Sequence, residues 1–175
     1  MYLISVYFDQ TTEKRIMSYM KQIANATCNT AMLDGNVSPH ITVAAFDTER
    51  ESVAYDIFNS VARNLKAGKI QWVSVGTFLP GVLYITPVLN QYLQEMSEKF
   101  QTEITCRSEV SINHKYRTFS WLPHTTLAKH LSKEEMVTAF KVMQNQFGLF
   151  EGEVVKVGLA KTNPYEDLEV RELKG

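Results

Sequence analysis

The sequence predicts an α+β protein in which one domain, spanning residues 1–175, is built from two related lobes. Amphipathic segments of helical period alternate along the chain with short segments rich in β-branched and aromatic residues, as expected for mixed helices and strands. In addition, residues 39–78 align without a gap with residues 123–162 and share nine identities in 40 positions. Average residue usage would give about two or three. Two units are too few for a solenoid, so two lobes facing each other are expected.

The first elements follow from local patterns. Residues 2–8 alternate in polarity and are rich in strand-forming side chains, which predicts a strand. Apolar residues at helical spacing predict a helix over 11–27, and a second strand is expected over 40–46. The motif TERE, which begins at Thr48, has the spacing of a capping box and indicates a helix from about residue 49 to 65.

The middle of the chain predicts a hairpin and a third helix. Residues 69–78 and 82–86 are strand-like and are separated by the turn sequence LPG. Pro87 can occupy the first turn of a helix that runs to about residue 100, because proline is tolerated there. Residues 101–120 have the least regular pattern and are interpreted as a strand followed by a polar loop.

The last third of the chain repeats the order of the first elements. A strand over 124–130 is followed by the motif SKEE, a second capping box, which predicts a helix to about residue 147. Two final strands are expected over 153–161 and 167–173. With a one-residue slip in this last hairpin, the internal repeat extends to residues 39–86 and 123–173.

Composition narrows the functional classes. The net charge of −1 argues against a protein that wraps long nucleic acid through a basic surface, although a short RNA end or a nucleotide needs only a local cluster of donors. No apolar run reaches the roughly 20 residues of a membrane span, and the N-terminus lacks the pattern of a signal peptide. Cys28 and Cys106 lack the spacing of a disulfide framework or zinc site. We expect a cytoplasmic monomer without metal or cofactor.

Two segments carry the chemistry. SPHITVAAF at 38–46 and LPHTTLAKH at 122–130 each place a threonine two residues after a histidine. Residues two apart in a strand face the same side, so each His–Thr pair should project together into the groove between the lobes. The residues expected on the groove faces are His40, Thr42, Ala44 and Phe46 on one strand, and His124, Thr126, Ala128 and His130 on the other. The two alanines would keep the floor of the groove low.

Two imidazoles and two hydroxyls in one groove suit displacement at phosphorus. One imidazole can remove a proton from the attacking oxygen while the other, protonated, delivers a proton to the leaving oxygen. A histidine pKa near 6.5 allows both states near neutral pH. The hydroxyls of Thr42 and Thr126 can donate to the non-bridging oxygens. Either histidine can act as the base in this scheme.

The paired PHITVAAF and PHTTLAKH, 84 residues apart, resemble the two signatures of the two-histidine (2H) phosphoesterase superfamily. Within it, the chain resembles the bacterial 2′-5′ RNA ligase-like (LigT) and cyclic phosphodiesterase proteins. The resemblance implies a bilobal fold of two pseudo-twofold-related antiparallel sheets backed by helices, with the active site in the cleft between the lobes. It also implies metal-independent opening of 2′,3′-cyclic or 1″,2″-cyclic phosphates on a nucleotide or RNA end. By resemblance, His40 and His124 are the acid–base pair, and Thr42 and Thr126 hold the phosphate.

Other residues are candidates for substrate contact. Cationic donors beside an aromatic ring at 115–117 suit a nucleotide or single-stranded RNA end, although such a stretch also fits a solvated loop. Aromatic residues near the groove could stack on a base or belong to the core. The candidates are His130, Phe46, Phe78, Tyr84, Lys115, Tyr116 and Arg117.

Three alternatives remain open at the level of sequence. The same site could run in reverse as a 2′-5′ RNA ligase. A module that binds terminal phosphates without turnover is a different class, which the matched pair of histidines disfavours. A histidine-based metal hydrolase fits poorly, because the chain contains neither HExxH nor H-x-x-x-H.

Overall fold

The computed structural model of the chain describes residues 1–118 and 120–175. Within them lie four α-helices, one 3₁₀ turn and eight β-strands. The helices are α1 (Gln10–Thr27), α2 (Glu51–Ala62), α3 (Gln91–Thr105) and α4 (Lys133–Gln146), and the 3₁₀ turn is His114–Tyr116. The strands are β1 (Tyr2–Phe8), β2 (His40–Asp47), β3 (Gly68–Phe78), β4 (Val82–Pro87), β5 (Ser111–Ile112), β6 (Thr125–Ala128), β7 (Phe150–Lys161) and β8 (Glu166–Glu172).

The strands pair antiparallel in the order β5-β2-β1-β7-β3-β4-β6, with β8 added on β7. Strand β7 joins the two halves, because residues 150–154 pair with β3 and residues 154–161 pair with β1. The predicted α+β fold with antiparallel sheets is confirmed. The two sheets are continuous along β7 and form one open, eight-stranded sheet.

The two halves have the same strand arrangement. Strand β1 lies between β2 and β7, and strand β4 lies in the same way between β6 and β3. Helix α3 packs against α2 and β2, whereas α1 packs against α4 and β6, so each half of the sheet is covered by two helices. Both histidine-bearing segments are therefore held on a strand whose other face is closed by helices.

Large aromatic side chains pack the core where the two halves of the sheet meet. Trp72 lies in the centre of the core, stacked on Phe150 at 4.8 Å between ring centroids and meeting Phe8 edge-on at 4.9 Å. Offset-stacked and edge-to-face pairs of this kind stabilise a core by about 0.5–1.5 kcal/mol beyond the burial of their area. The three rings belong to β3, β7 and β1, so they fasten together the strands that join the two halves.

Of the two predicted capping boxes, one forms in the structure and the other does not. The capping box at Ser132 and Glu135 is confirmed: the Ser132 hydroxyl accepts from the Glu135 N–H at 3.1 Å, and the Glu135 carboxylate accepts from the Ser132 N–H at 2.6 Å. The capping box predicted at Thr48 is wrong. Its hydroxyl accepts from the backbone N–H of Arg50, ahead of the helix, which begins only at Glu51.

Two further elements differ from the prediction. Pro87 ends strand β4 opposite Trp72 instead of starting a helix, since a strand terminus tolerates the missing N–H. Helix α3 begins after Asn90, whose side chain accepts from the Leu93 N–H, and continues to Thr105, beyond the predicted end near residue 100. The strand expected within residues 101–120 is the short β5, and a loop follows it as expected. None of the helices in the described ranges combines the length and apolarity that crossing a membrane would require.

Candidate active site

Each His-x-Thr segment lies on a strand that carries a bulge directly after the threonine. In the first half Thr42 is opposite Ser5 and Ala44 is opposite Ile4, so Val43 is the extra residue. In the second half Thr126 is opposite Tyr84 and Ala128 is opposite Leu83, so Leu127 is the extra residue. Because a bulge adds one residue to a strand, the alternation of faces is reset beyond it.

The bulges overturn part of the predicted groove. Residues directly opposite each other in an antiparallel pair share a face, so Ala44 lies on the face of Ile4, away from Thr42. Ala128 lies in the same way on the face of Leu83. Both alanines are buried in the helix-covered core and do not form the floor of the groove.

Phe46 is also on the core face. It lies opposite Tyr2, stacks on that ring at 5.8 Å between centroids, and is 0% exposed. The suggestion that Phe46 stacks on a base is wrong, because the bulge at Val43 turns every later residue of β2 by one position.

The two histidines are held in the same way. The Nδ1 of His40 lies 2.9 Å from the Ser38 carbonyl oxygen, and the Nδ1 of His124 lies 2.8 Å from the Leu122 carbonyl oxygen. Because a carbonyl only accepts, each Nδ1 carries the proton, and Nε2 of the neutral ring is left as the proton acceptor. The equivalent anchor in both halves fixes the tautomer that acid–base chemistry through Nε2 requires.

Strands β2 and β6, at whose starts the histidines lie, approach each other, and His124 acts electrostatically on His40. Burial lowers the pKa of His40 below its ordinary value of 6.5, the hydrogen bond with Ser38 opposes this, the nearby His124 lowers the pKa further, and Asp167 raises it. Burial also lowers the pKa of His124, against the hydrogen bond with Leu122. The two histidines therefore lie within electrostatic range of each other.

Thr42 is part of a cluster of hydroxyls. Its Oγ1 lies 3.1 Å from the Ser5 hydroxyl, and its side chain is close enough to the Tyr116 hydroxyl to affect the pKa of that group. Burial raises the pKa of Tyr116, and the nearby Thr42 side chain opposes that rise. The Trp121 Nε1 donates to the Thr42 carbonyl at 3.0 Å. Of the three candidates at 115–117, Tyr116 therefore reaches the site.

The second half surrounds its histidine with aromatic rings. The His124 ring meets Phe78 edge-on at 4.8 Å and lies 5.4 Å from Tyr84, and the two aromatic rings are 4.3 Å apart. Tyr84 covers Gly76, where a Cβ would come within 2.5 Å of its ring, so glycine is needed there. Tyr84 is buried beside Thr126, whereas Phe78 is 39% exposed.

The remaining candidates lie outside this arrangement. His130 follows the end of β6, has φ 57°, is exposed, and its carbonyl accepts from Asn29. The expectation that it shares a strand face with Thr126 is wrong, because β6 ends at Ala128. Lys115 and Arg117 are exposed beside Tyr116. Whether these three side chains contact a substrate stays a prediction.

Sequence reasoning missed several residues beside His40. Tyr7 lies opposite His40, with ring centroids 6.1 Å apart, and its hydroxyl is close to that of Tyr165. The Tyr165 hydroxyl donates to Asp167 at 2.7 Å. These side chains line one wall of a pocket of about 510 Å³ that reaches Ser38 and Pro39, next to the histidine. Strand 2–8 was predicted, but the sequence holds no signal that pairs its residues with His40.

No group of three or more His, Cys, Asp or Glu side chains is placed to hold a metal ion within residues 1–118 and 120–175.

Folding stability is expected to fall on acidification through the histidine range. Because burial lowers both pKa values in the folded state, the unfolded chain binds more protons between those lowered values and 6.5. The free energy of unfolding therefore rises with pH through that window. Above it, the destabilisation caused by the lowered pKa values is absent. The difference in the free energy of unfolding between about pH 5 and pH 7, measured with urea, should be smaller for the double variant His40→Gln/His124→Gln than for the wild type. His114→Gln, at an exposed histidine, is the matched control, and a double variant with the wild-type difference would contradict the expectation.

Comparison with known proteins agrees with this geometry. A family model described as the 2′-5′ RNA ligase superfamily matches residues 13–166. None of the curated proteins with which the sequence was compared matches it.

Solved structures share the fold at low sequence identity. The crystal structure of E. coli LigT complexed with 3′-AMP has a TM-score of 0.64 at 11% identity, covering 99% of this chain and 98% of LigT. A crystal structure described as a phosphoesterase has a TM-score of 0.61 at 11% identity, covering 99% and 98%. The MHV ns2 PDE domain has a TM-score of 0.50 at 13% identity, covering 98% and 99%.

Proposed function

The chain belongs to the 2′-5′ RNA ligase superfamily, and on that premise we propose that it is a metal-independent phosphodiesterase that opens a cyclic phosphate on a nucleotide or RNA end. One observation carries the proposal. Two histidines, each anchored through Nδ1 to the carbonyl two residues earlier, lie within electrostatic range of each other, and each is followed two residues later by a threonine. Binding alone would require donors but not two imidazoles held in matching tautomers.

The proposed reaction is a displacement at phosphorus. The Nε2 of one neutral histidine takes a proton from water as the water oxygen bonds to phosphorus. The bond between phosphorus and one ring oxygen of the cyclic phosphate breaks, and the other histidine, protonated, gives its proton to that oxygen. The products are a phosphomonoester and a free hydroxyl, and a proton exchanged with solvent resets the two imidazoles.

The lowered pKa values fit the role of the base, because they keep an imidazole neutral near pH 7. The acid must gain its proton when substrate binds. The negative charge of the cyclic phosphate favours that proton, since an opposite charge nearby stabilises the imidazolium. Substrate binding thus creates the mixed protonation state that the reaction needs.

The hydroxyls hold the phosphate in this proposal. Thr42, with its neighbours Ser5 and Tyr116, and Thr126 on the opposite strand would donate to the non-bridging oxygens. Phe78, exposed beside His124, offers a ring on which a base could stack, with Tyr84 behind it. Lys115, Arg117 and His130 would reach further phosphates of an RNA end. LigT, which has the same fold, has been crystallised with 3′-AMP, the kind of monoester that ring opening gives.

Removal of the Thr126 hydroxyl is expected to slow turnover without unfolding the protein. Loss of one donor to a developing oxyanion lowers kcat by about 10²- to 10³-fold in a well-formed site, so Thr126→Ala should approach that range and Thr126→Ser should retain most activity. Thr125→Val is the matched control. Its Oγ1 is buried on the opposite face and has no hydrogen-bond partner among the described residues, so steady-state kinetics should be unchanged. Equal losses in Thr126→Ala and Thr125→Val would refute the assignment.

Ligation is the second candidate, because the family is described by a 2′-5′ RNA ligase activity. It would use the same groups in reverse, with a ribose hydroxyl attacking the cyclic phosphate in place of water. A ligase must hold two RNA ends side by side, which the net charge of −1 does not favour.

A substrate panel tests the proposal. Purified protein in excess chelator would be given 2′,3′-cyclic nucleotides, ADP-ribose 1″,2″-cyclic phosphate and 2′-5′ linked oligoadenylate. We expect one cyclic phosphate to be opened, with product analysis identifying the oxygen that keeps the phosphate. Calorimetric binding of these compounds without turnover would establish a binding module instead, and activity abolished by the chelator would refute metal independence.

A further inference from the structure

The segment that follows β5, residues 113–118, crosses the Thr42 side of the site and begins with a hydrogen bond to β2. The Asn113 N–H donates to the Ala45 carbonyl at 2.9 Å, directly before the 3₁₀ turn that presents Tyr116. The Tyr116 hydroxyl then lies near the Thr42 side chain, and Trp121, beyond this segment, donates to the Thr42 carbonyl. The position of this segment, residues 113–118, therefore determines what surrounds Thr42.

The buried side-chain amide of Gln101 binds this segment at Thr118. Gln101, on α3, is 7% exposed. Its Oε1 accepts from both the backbone N–H and the hydroxyl of Thr118, at 2.5 and 2.7 Å. Thr118 lies two residues after Tyr116 and three before Trp121, between the two contacts with Thr42.

The nitrogen of the same amide is linked to the bulge in β2 through the hydroxyl of Ser97. The Gln101 Nε2 donates to the Ser97 hydroxyl at 2.9 Å, and that hydroxyl donates to the Val43 carbonyl at 3.1 Å. Val43 is the extra residue that follows Thr42 in the bulge. The Gln101 amide thus links two structures that flank Thr42: the backbone of its own strand and the segment that carries Tyr116.

Only a neutral amide can make all of these bonds. A leucine at position 101 removes both acceptor bonds from Thr118 and the donor to Ser97. A glutamate keeps the acceptors but loses the donor, and burying its charge is costly. Polar groups inside the protein are expensive to leave unpaired, so a fully paired buried network specifies one arrangement of the elements that it joins.

We infer that Gln101 is a positioning residue for the active site: through Ser97 and Thr118 it sets the bulge and the 113–118 segment, and thereby the Thr42 and Tyr116 hydroxyls. The inference rests on the proposed function, in which these hydroxyls contact the phosphate. Displacement of a positioned group by about 1 Å can cost up to about 10²-fold in rate even when the substitution is remote from the chemistry.

A double-mutant cycle tests the inference kinetically. Gln101→Leu should fold and lower kcat by about 10- to 100-fold with KM changed by less than about threefold. Tyr116→Phe should cost less, and the double variant should lose little beyond Gln101→Leu, because the two substitutions act on one contact. Gln101→Glu should recover part of the loss. Met96→Ala, a buried substitution on the same helix, controls for simple destabilisation and should leave kcat near the wild-type value.

A second readout does not depend on turnover. In a Trp72→Phe background Trp121 is the sole tryptophan. Gln101→Leu should then increase the quenching of Trp121 fluorescence by acrylamide, whereas Met96→Ala should not. Unchanged kcat and quenching in Gln101→Leu, or kinetic losses that simply add in the cycle, would overturn the inference. Absence of turnover in the wild-type protein would instead refute the proposed function, and the quenching of Trp121 would still decide whether Gln101 holds the segment.

Discussion

Replacement of His40 or of His124 by alanine is expected to lower kcat by about 10²- to 10⁴-fold, the contribution of one positioned acid or base. Each ring is only partly buried and forms one hydrogen bond, through Nδ1, with a carbonyl of its own segment, so its loss should cost less stability than the loss of a core side chain. Steady-state kinetics and thermal unfolding of the two variants check this result. The double variant should be little worse than the poorer single variant, because the two groups act in one step.

The matched control for these variants is His114→Ala. His114 is an exposed histidine on the 3₁₀ turn, and its replacement should leave kcat within about twofold of the wild type. Near-wild-type activity of either His40→Ala or His124→Ala on every substrate that the protein turns over would show that the acid–base assignment is wrong. A loss of activity that follows unfolding would also fail to support it, which is why stability is measured alongside kinetics.

The largest effect on stability is expected for Phe46→Ala. The ring is fully buried and stacked on Tyr2, so its truncation should lower the free energy of unfolding by about 3–5 kcal/mol. Because the bulge at Val43 turns Phe46 away from the groove, the KM of the folded variant should be unchanged. Urea unfolding and kinetics at a temperature where the variant is folded provide both quantities.

Phe78→Ala is the matched comparison on the groove side. Phe78 is partly exposed beside His124, so its truncation should cost less stability and should raise KM if the ring stacks on a base. An increase in KM with unchanged stability in Phe46→Ala would place that ring in the groove and contradict the bulged register.

The equivalent placement of the two His–Thr pairs could be predicted from the sequence, because the repeat is in register. One His-x-Thr segment is uninformative, but the second copy lies 84 residues later with the same flanking proline and a capped helix after it. The structure places His40 at the start of β2 and His124 directly before β6, with equivalent anchors, as that repeat implies. The order of strands and helices along the chain was also largely predictable, because the spacing of apolar residues is a local property of each segment.

The bulges were not predictable, and they explain the errors in the groove. Alternation across Thr42, Ala44 and Phe46 fits a regular strand as well as a bulged one, because apolar residues occupy both sets of positions. Whether one residue is extra depends on the hydrogen bonds to β1, a partner distant in sequence. The contact of Tyr116 with Thr42 and the link through Gln101 likewise depend on tertiary packing, which leaves no periodic trace.

The central claim is that His40 and His124 together perform a displacement at phosphorus. It is tested most directly by ³¹P NMR in ¹⁸O-labelled water with chelator, using the cyclic phosphate that the wild-type protein opens fastest. The account predicts one phosphomonoester isomer with one ¹⁸O atom on phosphorus, and no product from His40→Ala or His124→Ala on the same timescale. Ring opening that persists in both variants, or no ring opening of any cyclic phosphate by the wild-type protein, would contradict it.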